Sequence, residues 1–251
     1  MLDRATNPDF PARALEAITR IQSARDAPNL LERLMNATAA IGATASLYTA
    51  AIPESESETS SFSLFACHPG FAHRQDRLGS LLDHPWFRFA STHSAPGTDQ
   101  QVQLQHASDA AAVELARQYG FQSCFIVPVP ASAGSRRFEM LCLGSNNPGA
   151  FEGEDARILR TLARALAAEL HDWVTRHLSE RLQAIARLHE ADIELLRLEQ
   201  QGLGTKEISL RTGLSPASVD SRFQRLNVRL ACANRKASAR RAAAYGLLEA
   251  T

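Results

Sequence analysis

The chain has 251 residues, with 27 Lys and Arg against 27 Asp and Glu. That length is generous for one domain and comfortable for two, each with its own core. The balanced charge excludes a histone-like coat protein, and no run of about 18 apolar residues offers a membrane span.

The four cysteines, Cys67, Cys124, Cys142 and Cys232, form no CxxC pair and have no histidine spacing that suits zinc. They read as reduced, buried or half-buried thiols. No Ser/His/Asp order, metal cluster or phosphate loop stands out, so no catalytic residue, metal or cofactor is expected and the chain does not read as an enzyme. The opening MLDRATNPDF lacks the apolar run of a signal peptide. With no span and no leader, a cytoplasmic protein is expected.

In chain order, amphipathic helices are expected over 12–24 and 30–41, the second ended by Gly42. Residues 44–52 have strand composition, and 54–61 form a polar loop. Residues 61–67 alternate like a half-buried strand. A helix over 107–119 stops at Gly120. Strands over 122–130 and 137–145 flank the turn-rich 132–135, the pattern of a hairpin. A long helix is expected over 152–178. Helices at both ends of a block of antiparallel strands predict an α/β/α sandwich, GAF/PAS-like, of the kind used to sense small molecules. The whole is therefore α+β. The sensor occupies 1–180, residues 181–187 form a linker that can itself be helical, and an all-α four-helix domain fills 188–251.

The tail carries the sharpest pattern. From Leu188 onward ten Lys and Arg stand against seven Asp and Glu, and no acid occurs between Ser221 and Leu248. A helix over 189–201 ends at Gly202. Thr205 is expected to cap the next helix, 206–212, whose Ile208 points inward, and Gly213 makes the turn. Leu214 plugs the core. Ser215 caps a third helix with Pro216 in its first turn, where a missing N–H costs nothing. In that helix Val219, Phe223, Leu226 and Leu230 recur at steps of four, three and four, which makes one buried stripe. Arg222, Arg225 and Arg229 form an adjoining row, and Asp220, Ser221 and Gln224 face away from the core. A helix–Gly–helix pair with a cationic second helix is how small domains enter the DNA major groove. Asn234 caps a last helix, 235–245, whose Ala, Tyr and Leu face is a candidate dimer contact.

The run from Glu194 to Ala242 resembles the LuxR-type helix-turn-helix. The match lies in Glu194, Leu196, Gly202, Glu207–Ile208, Gly213, Ser215, Val219, Leu230, Asn234–Arg235 and Ala242. The resemblance implies that Asp220, Ser221 and Gln224 meet base edges while Lys206, Ser218, Arg222 and Arg225, with Arg229 in the same row, grip phosphates. That division follows the chemistry, since cations supply salt-dependent grip and Gln can bridge adenine's donor and acceptor. Asp220 stands where relatives often carry a base, which implies an altered target or weaker binding.

The preceding block is similar to the autoinducer-binding domain of quorum-sensing LuxR regulators. HPWFRFAS (84–91) sits where that family has Asp-Pro and a helix, GFQSCFIVPV (120–129) where it has Gly and a strand ending in Pro, and the spacing of Pro69, Pro85, Pro96, Gly120 and Pro128 fits. The ligand positions depart from the pattern. The family's Trp, Tyr and Asp, which hydrogen-bond the lactone and the acyl amide, are replaced by Phe71, Gln75 and His84. Its usual Gly is Cys124, and of the usual set only Pro85 is kept, next to Trp86. Each lost buried or charge-assisted hydrogen bond costs on the order of 1.5–3 kcal/mol.

These readings together describe a dimeric regulator of a palindromic double-stranded DNA site whose sensor does not answer ordinary acyl-homoserine lactones. Its signal, if it has one, is a small molecule of another kind. The alternative is an interaction protein that forms mixed dimers with a true receptor and blocks it.

Overall fold

The structure, a computed structural model, describes residues 9–55, 57–129, 137–153 and 156–248. The chain divides into two compact units: Met1–Ala51, Ser61–Pro130 and Phe138–Trp173 form the first, and Ile52–Ser60, Ala131–Arg137 and Val174–Thr251 the second.

The first unit opens with α1 (Phe10–Thr19), drawn into a 3-10 turn at Arg20–Ser23, and α2 (Ala27–Ile41). Asp26 starts α2 by accepting from the Asn29 N–H at 2.9 Å, and Gly42 ends it at φ 81°; a left-handed residue there is cheapest as glycine. The strands are β1 (Ala45–Pro53), β2 (Thr59–Ala66), β3 (Gly97–Thr98), β4 (Ser123–Val129) and β5 (Phe138–Ser145), in the order β2-β1-β5-β4-β3. β5 pairs antiparallel with both β1 and β4, and β3 pairs antiparallel with β4. The expected β4–β5 hairpin is present, with Ser123 opposite Ser145 and Val129 opposite Glu139; its turn, 132–135, lies outside the described residues.

Because side chains alternate across a strand, the sheet serves two layers. One face carries Leu47, Cys124, Ile126, Met140 and Cys142. It packs under α3 (Gly70–Leu78), α4 (Pro85–Thr92) and α5 (Ala107–Gln118) through Phe71, Trp86, Phe89, Leu115 and Ala116. On the other face the Ser46 hydroxyl meets Thr38 of α2 at 2.6 Å. Glu139 accepts from His171 at 2.9 Å, a residue of α6 (Ala156–Ala186). The α/β/α sandwich expected from the sequence is the observed one. α6 differs at both ends: Glu152 precedes it, with Gly153 at φ 76°, and the helix runs past Leu178 through most of the expected 181–187 linker. Arg187 stops it at φ 50°.

The second unit holds α7 (Glu190–Gln200), α8 (Thr205–Thr212), α9 (Pro216–Arg229) and α10 (Arg235–Ala244). These are the four expected helices, and the predicted stripe of Val219, Phe223, Leu226 and Leu230 is buried among Ile193, Leu196, Ile208 and Ala242. Leu214 packs at the edge of that core. Two expectations need correction. Thr205 does not cap α8: Gly204 holds that position and donates its N–H to Glu207 at 2.7 Å, leaving Thr205 inside the first turn with its hydroxyl turned to other partners. The Ala and Leu face of the last helix is not a free dimer surface either. Ala239, Ala242, Ala243, Leu247 and Leu248 are all buried in this unit's own core, with Tyr245 packed beside them.

Candidate nucleic-acid interface and sensor core

The local rules that build α9 also aim it. Ser215 caps it, accepting from the Ser218 N–H at 3.2 Å, and Pro216 sets the first turn. With the apolar stripe fixed inward, the outer side carries Ser218, Asp220, Gln224 and Arg225, all exposed, and Ser221 and Arg222, half-buried. Lys206 is exposed on α8. A groove of about 750 Å³ brings together Arg222, Gln224, Arg225 and Arg229 with His189 and Asp192 near the start of α7. Arg225 donates to the Ser221 hydroxyl at 2.8 Å.

Two of the sequence-predicted contacts are engaged elsewhere. Arg229 donates to the Arg187 carbonyl at 2.9 Å and pairs with Asp192 at 2.7 Å, so its guanidinium braces the α6–α7 junction against α9. Asp220 accepts from Thr205 at 3.1 Å, and Thr205 accepts from Arg235 at 2.9 Å. Arg235 in turn pairs with Glu199 at 2.9 Å and lies over the Phe223 ring, 5.7 Å from its centroid. Glu199 is buried, which pushes its carboxyl pKa up against the pull of Arg235 and Lys236. This chain of contacts ties all four helices together behind the outer face of α9. Sequence reasoning missed it because Glu199 and Arg235 are far apart in the chain, and the local pattern that marks Arg235 says nothing of its partner.

In the first unit, Phe71, Gln75, His84, Pro85, Trp86 and Cys124 are all buried. Phe71 and Gln75 lie one turn apart on α3, and an aromatic chain runs from Phe71 to Phe121 (5.5 Å), to Trp86 (5.4 Å) and to His84 (4.5 Å). His84 caps α4: its Nδ1 accepts from the Trp86 N–H at 3.2 Å, which places the neutral ring's proton on Nε2. Burial holds its pKa down at about 4, with Arg88 adding to the effect and the Ala112 carbonyl and Asp109 opposing it. Even so, His84 Nε2 makes no bond of hydrogen-bond geometry. Gln75 Oε1 and Trp86 Nε1 are likewise buried without a partner among the described residues. Such atoms are rare in native cores, because an unmet buried donor or acceptor costs about 1–3 kcal/mol.

Asp109, which sequence reasoning did not single out, anchors the start of α5. Burial raises its carboxyl pKa, but the ion pair with Arg88 of α4 and the N–H groups of Gln105 and His106 outweigh that and bring it to about 2. The thiols agree with expectation. All four are free; burial and the nearby Cys142 push Cys67 up to about 12, and burial also raises Cys124 well above its ordinary value.

Among the described residues no group of three or more His, Cys, Asp and Glu could hold a metal ion, and no helix is long and apolar enough to cross a membrane. The architecture, a sandwich followed by a four-helix unit, is shared with solved structures. Escherichia coli SdiA superposes with a TM-score of 0.70 at 14% identity, covering 96% of this chain and all of that one. SdiA in complex with octanoyl-rac-glycerol gives 0.65 at 15%, covering 98% and 99%. CepR2 of Burkholderia cenocepacia, an N-acylhomoserine lactone dependent LuxR family transcription factor, gives 0.56 at 16%, covering 68% and 98%. At these identities the likeness is one of fold. No family model and no curated protein matches the chain.

Proposed function

We propose that the chain is a DNA-binding transcription regulator of the LuxR type, acting in the cytoplasm as a homodimer on a palindromic site. One observation carries the reading: α9 buries Val219, Phe223 and Leu226 and turns Ser218, Gln224 and Arg225 outward, with Arg222 beside them. Base reading falls to Gln224 and Ser221, and phosphate grip to Lys206, Ser218, Arg222 and Arg225. Arg229 and Asp220 contribute by holding α9 in place.

Selection from a randomised duplex library, followed by salt titration on the selected site, tests this. Arg222→Ala combined with Arg225→Ala should weaken every site and make the slope of log affinity against log salt shallower by about 0.9 for each phosphate no longer neutralised. Gln224→Ala should relax base preference instead. An unchanged salt slope in the arginine double variant would refute the assignment.

The sensor, on this proposal, takes a ligand other than an ordinary acyl-homoserine lactone. Phe71 has no donor, and a neutral His84 is a poorer acceptor than a carboxylate. The unmet Trp86 N–H and Gln75 carbonyl suit a neutral molecule that offers an acceptor to one and a hydroxyl to the other. SdiA, solved with an acylglycerol, is a precedent for a non-lactone ligand on this fold. Mass spectrometry of whatever co-purifies with the chain is the direct check. A tightly retained acyl-homoserine lactone would overturn this part of the proposal and leave the DNA reading standing.

A further inference from the structure

A recess in the first unit lies at the strand ends, on the flank of the aromatic core, where Tyr119 stands 5.9 Å from Phe71 between ring centroids. It has a volume of about 570 Å³ and is lined by Thr44 before β1, Asn146 after β5, Gln118 and Tyr119 at the end of α5, His68 before α3, and Arg74 on α3. Stretches far apart in sequence thus converge on one place, and no carboxylate is among the lining residues.

Arg74 and His68 present donors, and the Gln118 and Asn146 amides can each donate or accept. Arg74 pairs with no carboxylate among the described residues, and its guanidinium stands over the Tyr119 ring, 5.9 Å from the centroid. His68 accepts the Gly70 N–H on Nδ1 at 3.1 Å, so its neutral ring presents Nε2–H. The His68 ring also packs against Tyr119, centroids 5.4 Å apart. A Cβ at Gly70 would come within 3.2–3.3 Å of both side chains, so a glycine here keeps that packing close. The Thr44 hydroxyl is committed, donating to the Gly120 carbonyl at 3.1 Å, which leaves the Gln118 and Asn146 amides to complete the rim.

We infer that this recess binds a small oxyanion, the carboxylate or phosphate group of a metabolite, with Arg74 as the charged clamp and His68, Gln118 and Asn146 as neutral hydrogen-bonding groups. A planar guanidinium supported on an aromatic face keeps its fork of N–H donors available for two oxygens at once. The volume falls in the range of small-molecule sites.

Titration of the full chain, followed by calorimetry or amide chemical shifts, with inorganic phosphate and separately with citrate tests it and tells the two sources apart. Saturable binding of at least one probe is expected, weakened at least tenfold by Arg74→Gln and unchanged by Arg77→Gln, a nearby exposed arginine on the same helix that does not line the recess. Failure of both probes to saturate, or equal binding by the Arg74→Gln and Arg77→Gln variants, would overturn it.

Discussion

Phe223→Ala is expected to remove about 3–5 kcal/mol of stability from the helical unit, the usual range for truncating a fully buried aromatic. Phe223 is 3% exposed and sits in the one core that all four of its helices share. The loss has a second component. The ring is also the platform for Arg235, so its removal loosens the guanidinium that holds buried Glu199 and the Thr205 hydroxyl. A buried carboxylate left with a poorer partner is costly in its own right. Urea unfolding followed by circular dichroism reads the change. Leu210→Ala serves as the control, since Leu210 is 86% exposed and its truncation should move the midpoint little. A Phe223→Ala loss below about 1 kcal/mol would mean the stripe does not anchor α9.

The second large effect concerns pH. His84 is neutral in the folded chain, with a pKa near 4 against 6.5 for the free side chain. Between those values the unfolded chain binds the extra proton and the folded one does not, so stability rises with pH across that interval and is lost as pH falls through it. The loss from pH 7 to pH 4 should be about 3 kcal/mol, at 1.36 kcal/mol for each tenfold difference in proton affinity. His84→Asn keeps an N-cap acceptor for the Trp86 N–H and cannot titrate, so it should flatten the profile between pH 6.5 and 4 while leaving the fold intact. Asp109 acts lower. Its pKa is depressed, so its contribution is present above the ordinary carboxylate value near 4 and disappears as pH falls toward 2. The two residues therefore act in separate windows, and unfolding free energies measured from about pH 7 to pH 2 separate them. An unaltered slope between pH 6.5 and 4 in His84→Asn would refute the assignment to this ring.

The helical tail was legible because its signals are local and redundant. A stripe at helical spacing, caps at Ser215 and Asn234 and a left-handed Gly213 all point to one answer, and each appears in the structure. The sandwich was legible through the strand compositions of β1, β4 and β5. β3 escaped notice because two residues, Gly97 and Thr98, carry no period. α3 escaped composition and periodicity because GFAHRQDRL buries a glutamine beside its one phenylalanine. At the candidate sites the side-chain types were readable, but their commitments were not. Nothing local to Arg229 reveals Asp192 and the Arg187 carbonyl, and nothing local to Asp220 reveals Thr205. Long-range hydrogen bonds leave no periodic trace. The same limit hid the convergence of Arg74, His68 and Asn146 at the strand ends.

The link from Asp220 through Thr205 and Arg235 to Glu199 bears on which positions of the outer face of α9 can change without disturbing the fold. A residue in a purely solvent-facing row can be exchanged with little effect on stability. At Asp220 an exchange also slackens a brace that reaches the interior, so it lowers the stability of the helical unit. Gln224, exposed on the same helix and held by no such tether among the described residues, can be exchanged at less cost to the fold.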